Sequence, residues 1–212
     1  MKTPLTKERL QSHFQYDWWK YLLSVLLCFL GWNLLFAVTA PQVPEEKKLD
    51  LMAYAVGDQE AAGAWLEELR EARYPDQELF SASFIIPDEQ YGQMVLSTRI
   101  FAGEGDLYIL PRANFQTLAS EGLFVPLEEV EGLPDAFAAR GISIDRGWRR
   151  LEETGERHLY GLPVSALSPL RDWFVSPDDL YLSVRVSNGN DANALALLRD
   201  LTEGMLPPVP AE

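Results

Sequence analysis

Seven side chains with the chemistry to bind a small molecule or a protein partner follow, or lie within, the apolar segments of this sequence. An apolar segment such as 49–56, closed by Gly57, is typical of a buried β-strand. In open α/β sheets the carboxyl ends of parallel strands meet at one edge, and ligands bind there. The seven residues that we expect at this edge are Asp58, Gln59, Asp88, Arg112, Asn114, Ser165 and Trp173.

Structural roles are the alternative for several of these positions. Asp58 and Asp88 each precede a helical pattern, where an aspartate side chain caps the free backbone N–H groups. Trp173 suits a cover over apolar surface as well as it suits a binding contact. Phe115, which follows the third apolar segment, is predicted to be a core residue.

Catalytic motifs are scarce in this sequence. His13 and His158 are the only histidines, Cys28 is the only cysteine, and no G-x-S-x-G, H-E-x-x-H or P-loop pattern occurs. We therefore predict no metal site and no cofactor. His158 and the acidic pairs are expected to be solvated. The number of carboxylates still leaves open a membrane-bound hydrolase that uses a carboxylate pair. The acidic residues considered are Glu128, Glu129, Glu131, Glu152, Glu153, Asp178 and Asp179.

A membrane-spanning helix is predicted over residues 22–40. These 19 residues contain no Asp, Glu, Lys or Arg, and as a helix they would span about 30 Å, the thickness of a bilayer core. The aromatic and basic residues of 18–21 precede them, and all four basic residues of 1–40 lie before the span. The pattern predicts a single-pass cell-membrane anchor with residues 1–21 in the cytoplasm. The alternatives are a signal peptide cleaved before Pro41 and lipidation at Cys28.

The remainder of the chain is acidic and predicted to be one extracytoplasmic domain. Residues 41–212 carry 14 basic and 30 acidic groups, a net charge of −16, which disfavours nucleic acid and anionic lipid as partners. We predict a linker at 41–48, a domain at 49–204 and a disordered tail at 205–212.

Strand and helix patterns alternate through this domain. Strands are predicted at 49–56, 78–86, 107–110, 160–167 and 180–186. Helices are predicted at 58–73, 88–101, 111–122, 134–140 and 191–203, and a polar ribbon at 148–158 turns at Thr154 and Gly155. Near-continuous apolar strands that alternate with helices indicate an α/β fold, with a mainly parallel sheet and helices on both faces.

Three segments resemble the first lobe of the extracellular solute-binding proteins of ABC importers. The run 103–110 is similar to the family's glycine–aspartate step into a strand, and 118–127 is similar to its A-x-x-G-x-x-x-P-L ending. Residues 160–164 (YGLPV) resemble the family's YGxPV strand, and 180–204 resemble its return strand and helix. The resemblance implies one lobe of a type II periplasmic-binding-protein fold over about 49–127 and 159–204.

The second lobe of that family has no counterpart of its own length in this sequence. Only residues 168–179 separate the YGLPV segment from the return strand, and twelve residues form a loop rather than a lobe. We therefore expect a non-enzymatic solute-binding-protein-like module that serves as an accessory or receptor subunit beside a membrane transporter or another membrane protein. The alternative within the same fold is a tethered receptor for a small, sugar-like solute on an open edge.

Overall fold

The computed structural model describes residues 7–39, 43–44, 47–88, 91–186 and 189–209, and the side chains from residue 18 onward. The chain divides into two compact units, residues 1–42 and 43–212. The first unit contains helix α1 (Lys7–Thr39), whose segment Trp18–Thr39 has a mean hydropathy of 2.1 and no buried residues. By length and composition this segment is able to cross a membrane. Ala40, the predicted end of the span, lies outside the described residues.

The second unit is a mixed α/β domain. Its strands are β1 (Lys48–Tyr54), β2 (Leu79–Ile85), β3 (Leu107–Pro111), β4 (Trp148–Arg150), β5 (Arg157–Leu159), β6 (Leu162–Pro163) and β7 (Leu180–Val184). Its helices are α2 (Gln59–Arg73), α3 (Tyr91–Ala102), α4 (Arg112–Ser120), α5 (Leu133–Ala138) and α6 (Asp191–Met205).

Five strands form the main sheet in the order β2-β1-β3-β7-β6. Strand β1 pairs in parallel with both β2 and β3, whereas β7 runs antiparallel to β3 and to β6. Four of the five strands therefore point the same way, as predicted, and β7 is the reversed strand. The ribbon β4–β5 forms a separate antiparallel pair, with Trp148 opposite Leu159.

Helices cover both faces of the sheet. Because successive strand residues point to opposite sides, one strand contributes side chains to the core on each face. Leu51 and Ala53 of β1 pack into a core with residues of α2, α5 and α6, whereas Met52 and Tyr54 pack into a second core with residues of α3 and α4. Phe115 is fully buried in the second core, which confirms its predicted role.

Two segments differ from the prediction. The apolar run 160–167 is a strand only at Leu162–Pro163, and Val164–Ala166 form a 3₁₀ turn instead. Proline lacks a backbone N–H, so Pro163 cannot donate to a neighbouring strand and the ladder ends there. The rest of the run is largely buried without being a strand. The predicted tail is ordered at its start, since α6 continues to Met205, and Met205 and Leu206 are both buried in the first core.

Candidate functional site

Residues 168–179, a short crossover that precedes β7, fold back onto the carboxyl end of β1. The backbone N–H of Asp58 donates to the Trp173 carbonyl at 2.8 Å, and the N–H of Val175 donates to the Val56 carbonyl at 3.1 Å. Between these two bonds, Gly57 and Phe174 form an isolated antiparallel bridge. The crossover is thus held to the domain as a short strand-like segment.

Aromatic packing seals this contact. Trp173 is only 7% exposed and lies 5.5 Å from the ring of Trp65 on α2. Phe174 is buried as well and stacks on Phe84 of β2 at 5.2 Å. The sequence predicts either a binding contact or a cover over apolar surface for Trp173, and its burial in the core agrees with the cover.

Gly57 allows the close approach of the crossover. A Cβ atom at this position would lie 2.5 Å from the Trp173 carbonyl oxygen and 2.8 Å from the ring of Phe84. Both distances are far shorter than ordinary van der Waals contact, so only glycine fits without displacing the crossover.

An apolar pocket remains open beside the crossover, at the carboxyl edge of the sheet. Its volume is about 330 Å³. The pocket wall includes Val56, Pro87, Pro111 and Val175, and the side chain of Val175 is 75% exposed. This edge therefore presents mainly apolar surface to solvent, with Asp179 as the charged residue of the pocket wall.

The two predicted aspartates act as helix caps. The Asp58 carboxylate accepts from the backbone N–H of Ala61 at 2.9 Å, at the start of α2. Asp88 accepts from the N–H of Gly92 at 2.6 Å, in the first turn of α3. The side-chain oxygen of Gln59 accepts from the backbone N–H of Phe84 at 3.3 Å, which links α2 to β2. These groups position the loops of the edge.

The other predicted residues lie apart from one another. Arg112 is exposed at the first position of α4, and Asn114 faces the groove between α3 and α4, where its amide donates to Gln93 at 3.1 Å. Ser165 lies in the 3₁₀ turn after β6 and lines a different pocket, with Arg171 and Met205. The seven residues therefore do not form a single ligand shell.

A buried network at the opposite end of the sheet was not anticipated from the sequence. Asp106 is 5% exposed, and its carboxylate accepts from the backbone N–H of Asp50 at 2.7 Å. The Asp50 carboxylate accepts from the Ser81 hydroxyl at 2.9 Å, and burial raises its pKa. Asn190 donates to the Lys48 carbonyl at 2.6 Å beside them. Both carboxylates thus join β1, β2 and β3, which favours a structural role over the catalytic pair of a hydrolase.

Among the residues that the structure describes, no group of three or more His, Cys, Asp and Glu side chains is placed to hold a metal ion.

His158 and Glu128 are paired rather than solvated, contrary to the prediction. Glu128 Oε1 lies 2.5 Å from His158 Nδ1, and Glu128 Oε2 accepts from the backbone N–H of Leu159 at 2.9 Å. The hydrogen bond that the His158 ring donates to Glu128 is the main cause that raises the pKa of His158 above its usual 6.5. The pair fixes strand β5 to the segment after Leu127.

The raised pKa of His158 predicts a pH-dependent contribution to stability. The protonated form is favoured in the folded state, so the contribution is fully present below the unfolded-state pKa of 6.5. It is lost as the pH rises through the higher folded-state value. We expect His158→Gln to lower the melting temperature of the full chain in detergent micelles more at pH 5.5 than at pH 9. Equal losses at both pH values would contradict this pairing.

Comparison with known proteins gives structural matches alone. No family model and no curated protein sequence matches the chain. An extracellular solute-binding protein of family 1 from Alicyclobacillus acidocaldarius matches 60% of this chain and 29% of its own, with 22% identity and a TM-score of 0.42. An uncharacterized protein from Listeria monocytogenes matches 56% of this chain and 28% of its own, with 21% identity and a TM-score of 0.42. An ABC transporter solute-binding protein from Agrobacterium vitis, with bound D-mannitol, matches 55% and 27%, with 15% identity and a TM-score of 0.36.

The chain therefore spans under a third of the length of these proteins. Two of the three carry the name of the family that the sequence motifs resemble. These partial matches do not assign a function to this chain. A function is therefore inferred below from the residues of the edge and the crossover.

Proposed function

We propose that this chain is a single-pass, membrane-anchored, non-enzymatic module that docks a protein partner, a transporter subunit or another membrane protein, at the carboxyl edge of its sheet. The observation that carries the proposal is the crossover 168–179, which packs onto its own domain. Trp173 and Phe174 are buried and pack against Trp65 and Phe84 at the carboxyl end of the sheet. We infer that the domain is a single lobe, which within its described residues has no second lobe to enclose a solute.

The open edge supports a protein partner. Exposed apolar side chains continue from the pocket onto the start of α3: Val56 is 51% exposed, and Ile86 and Tyr91 are both exposed. Contiguous exposed apolar surface of this kind marks interaction sites, and interface cores are poor in charged residues. A partner that covers this edge would bury surface that water now contacts.

Helix α1 supports the anchor. Its apolar segment Trp18–Thr39 is 22 residues long, enough to cross a bilayer, and begins with Trp18 and Trp19 beside Lys20. The basic residues before it favour an N-terminus in the cytoplasm and a domain outside.

A tethered solute receptor is the second candidate. The pocket of about 330 Å³ at the edge lies within the size range of small-molecule sites, although only towards its lower end. A small, sugar-like solute bound there would keep much of its surface in water, because no segment among the described residues closes over it.

Introduced cysteines test orientation and docking together. We expect Val56→Cys to react with a membrane-impermeant, cysteine-reactive photocrosslinker on protoplasts or spheroplasts, because residue 56 lies outside the cell and is exposed. The native Cys28 lies within the apolar segment and should stay unlabelled. Illumination should then join Val56→Cys to a membrane protein, detected by mass spectrometry.

Asp135→Cys on α5 is the matched control, since its side chain is exposed but lies away from the edge. It should label and form no specific product. A failure of both positions to label would overturn the orientation. Labelling of Val56→Cys with no product beyond that of the control would overturn docking at this edge.

A further inference from the structure

Four arginines gather at the start of α4 and on the ribbon β4–β5, in a domain with a net charge of −16. They are Arg112, Arg149, Arg150 and Arg157, hereafter the arginine cluster. Throughout the described part of the chain, none of the four has a carboxylate within ion-pair distance. These four guanidinium groups thus lack a paired carboxylate although the domain has about twice as many acidic as basic groups.

Contacts link the four arginines into two neighbouring pairs. The Gln116 side-chain oxygen accepts from Arg112 Nε at 3.0 Å and from Arg149 Nη2. Arg150 and Arg157 are directly opposite each other in the ribbon. Burial, followed by the charges of Arg112 and Arg157, lowers the pKa of Arg149. Like charges directly opposite on neighbouring strands are destabilising, so this arrangement costs stability in the free protein.

Aromatic rings hold two of the guanidinium groups in place. Arg149 lies over the ring of Phe115 at 5.8 Å, and Arg157 lies over the ring of Trp148 at 5.3 Å. Such contacts orient an arginine before any ligand arrives, so less conformational entropy is lost on binding.

Two carboxylates of the neighbouring segments bind other groups. Glu128 bonds to His158 and to the Leu159 N–H, and Glu152 accepts from the Ser120 hydroxyl at 3.2 Å. The cluster is therefore free to receive an anion from another molecule.

The cluster borders the proposed docking edge. Arg112 directly follows Pro111, which lines the apolar pocket, and Phe115 stacks on Tyr181 of β7 at 4.9 Å. The cluster thus meets the apolar pocket at Arg112 and extends along α4 towards its last residue, Ser120, whose carbonyl accepts from the backbone N–H of Glu152 in the ribbon at 2.9 Å.

We propose that the arginine cluster recognises an acidic segment of the docked protein partner, whose carboxylates pair with Arg112, Arg150 and Arg157. The inference rests on the proposed function and names the chemistry of the partner's surface. Arginine suits this role because its planar group binds a carboxylate through two parallel hydrogen bonds. The acidic remainder of the domain repels such a segment, so the cluster sets where it docks.

A labelled peptide tests the cluster directly. The probe is a short fluorescein-labelled peptide of alternating Glu and Ser, titrated against the full chain in non-ionic micelles at about 0.05 M salt, where screening is weak. We expect Arg112→Gln/Arg157→Gln to weaken binding about tenfold, and higher salt to weaken binding to the unmodified chain. Arg149 is left in place because it packs on Phe115.

The matched control removes two positive charges elsewhere. Arg73→Gln/Arg199→Gln alters exposed arginines on α2 and α6, and should weaken binding less than twofold. Equal losses in both double variants, or equal binding of a peptide with Gln in place of Glu, would overturn the proposal. Displacement of the probe by sub-millimolar inorganic phosphate at constant ionic strength would assign the cluster to a small anion instead. If the Val56→Cys product forms while the peptide fails these tests, docking at the edge is supported and recognition of an acidic segment by the arginine cluster is overturned.

Discussion

Replacing Phe115 by alanine is expected to lower the free energy of unfolding by about 3–5 kcal/mol, the usual cost of truncating a buried phenylalanine. The side chain is fully buried, and it stacks on Tyr181 at 4.9 Å and on Phe124 at 6.1 Å. Its ring also fills the space beside Gly161, where a Cβ would lie 2.6 Å away. Truncation would leave a cavity between α4 and the sheet.

Urea denaturation of the full chain in micelles, followed by circular dichroism, measures this effect. Phe101→Ala is the control, because Phe101 is 90% exposed and its loss should leave the midpoint unchanged. A wild-type midpoint in Phe115→Ala would show that Phe115 contacts solvent, and would move it from the core to the docking surface.

Trp173→Ala is expected to cost a similar amount, about 3–5 kcal/mol, for a reason specific to this chain. Trp173 joins the crossover to α2 through Trp65, and the Trp173 carbonyl accepts from Asp58. Loss of the indole would free the crossover from the end of the sheet and expose apolar surface beneath it.

Val175→Ala is the control on the same crossover, since Val175 points to solvent. We expect it to unfold like the wild type. Limited proteolysis should cut Trp173→Ala, but not Val175→Ala, within 168–179. A Trp173→Ala variant with wild-type stability and resistance would contradict the packing of the crossover onto the domain.

Local patterns predicted most of the fold. The pleat of β1 appears in the sequence as a continuous apolar run because both faces are covered, and Asp58 marks the start of α2 as its cap. The turn of the ribbon at Gly155, which has a φ of 72°, was also predictable from its composition. These features depend on neighbouring residues alone.

Long-range contacts were not predictable in the same way. Glu128 and His158 are 30 residues apart, and Asp50 and Asp106 are 56 apart. Each of these charged residues resembles a solvated one until the fold brings its partner close. The two predicted roles of Trp173, a binding contact and a cover, were not separable for the same reason, because only its contact with Trp65 shows which way the crossover folds.

The arginine cluster could not be predicted from the sequence for a related reason. Arg149, Arg150 and Arg157 sit in a stretch that also contains Glu152, Glu153 and Glu156, so its charge looks balanced. In the structure, Arg112 of α4 lies beside Arg149, whereas the Glu152 carboxylate accepts from Ser120 and the Glu156 carboxylate lies beside His158. Of the four arginines, only Arg112 follows a predicted strand, so only Arg112 is among the predicted binding residues.

Calorimetry of the full chain in micelles against sugars, sugar alcohols, amino acids and short peptides tests the central claim most directly. A closed single lobe with an open edge should bind none of these solutes with a sub-micromolar dissociation constant, because none would be enclosed. We expect no such ligand in the panel. A sub-micromolar solute whose binding is lost in Val175→Asp, at the wall of the pocket, would contradict it and establish a solute receptor instead.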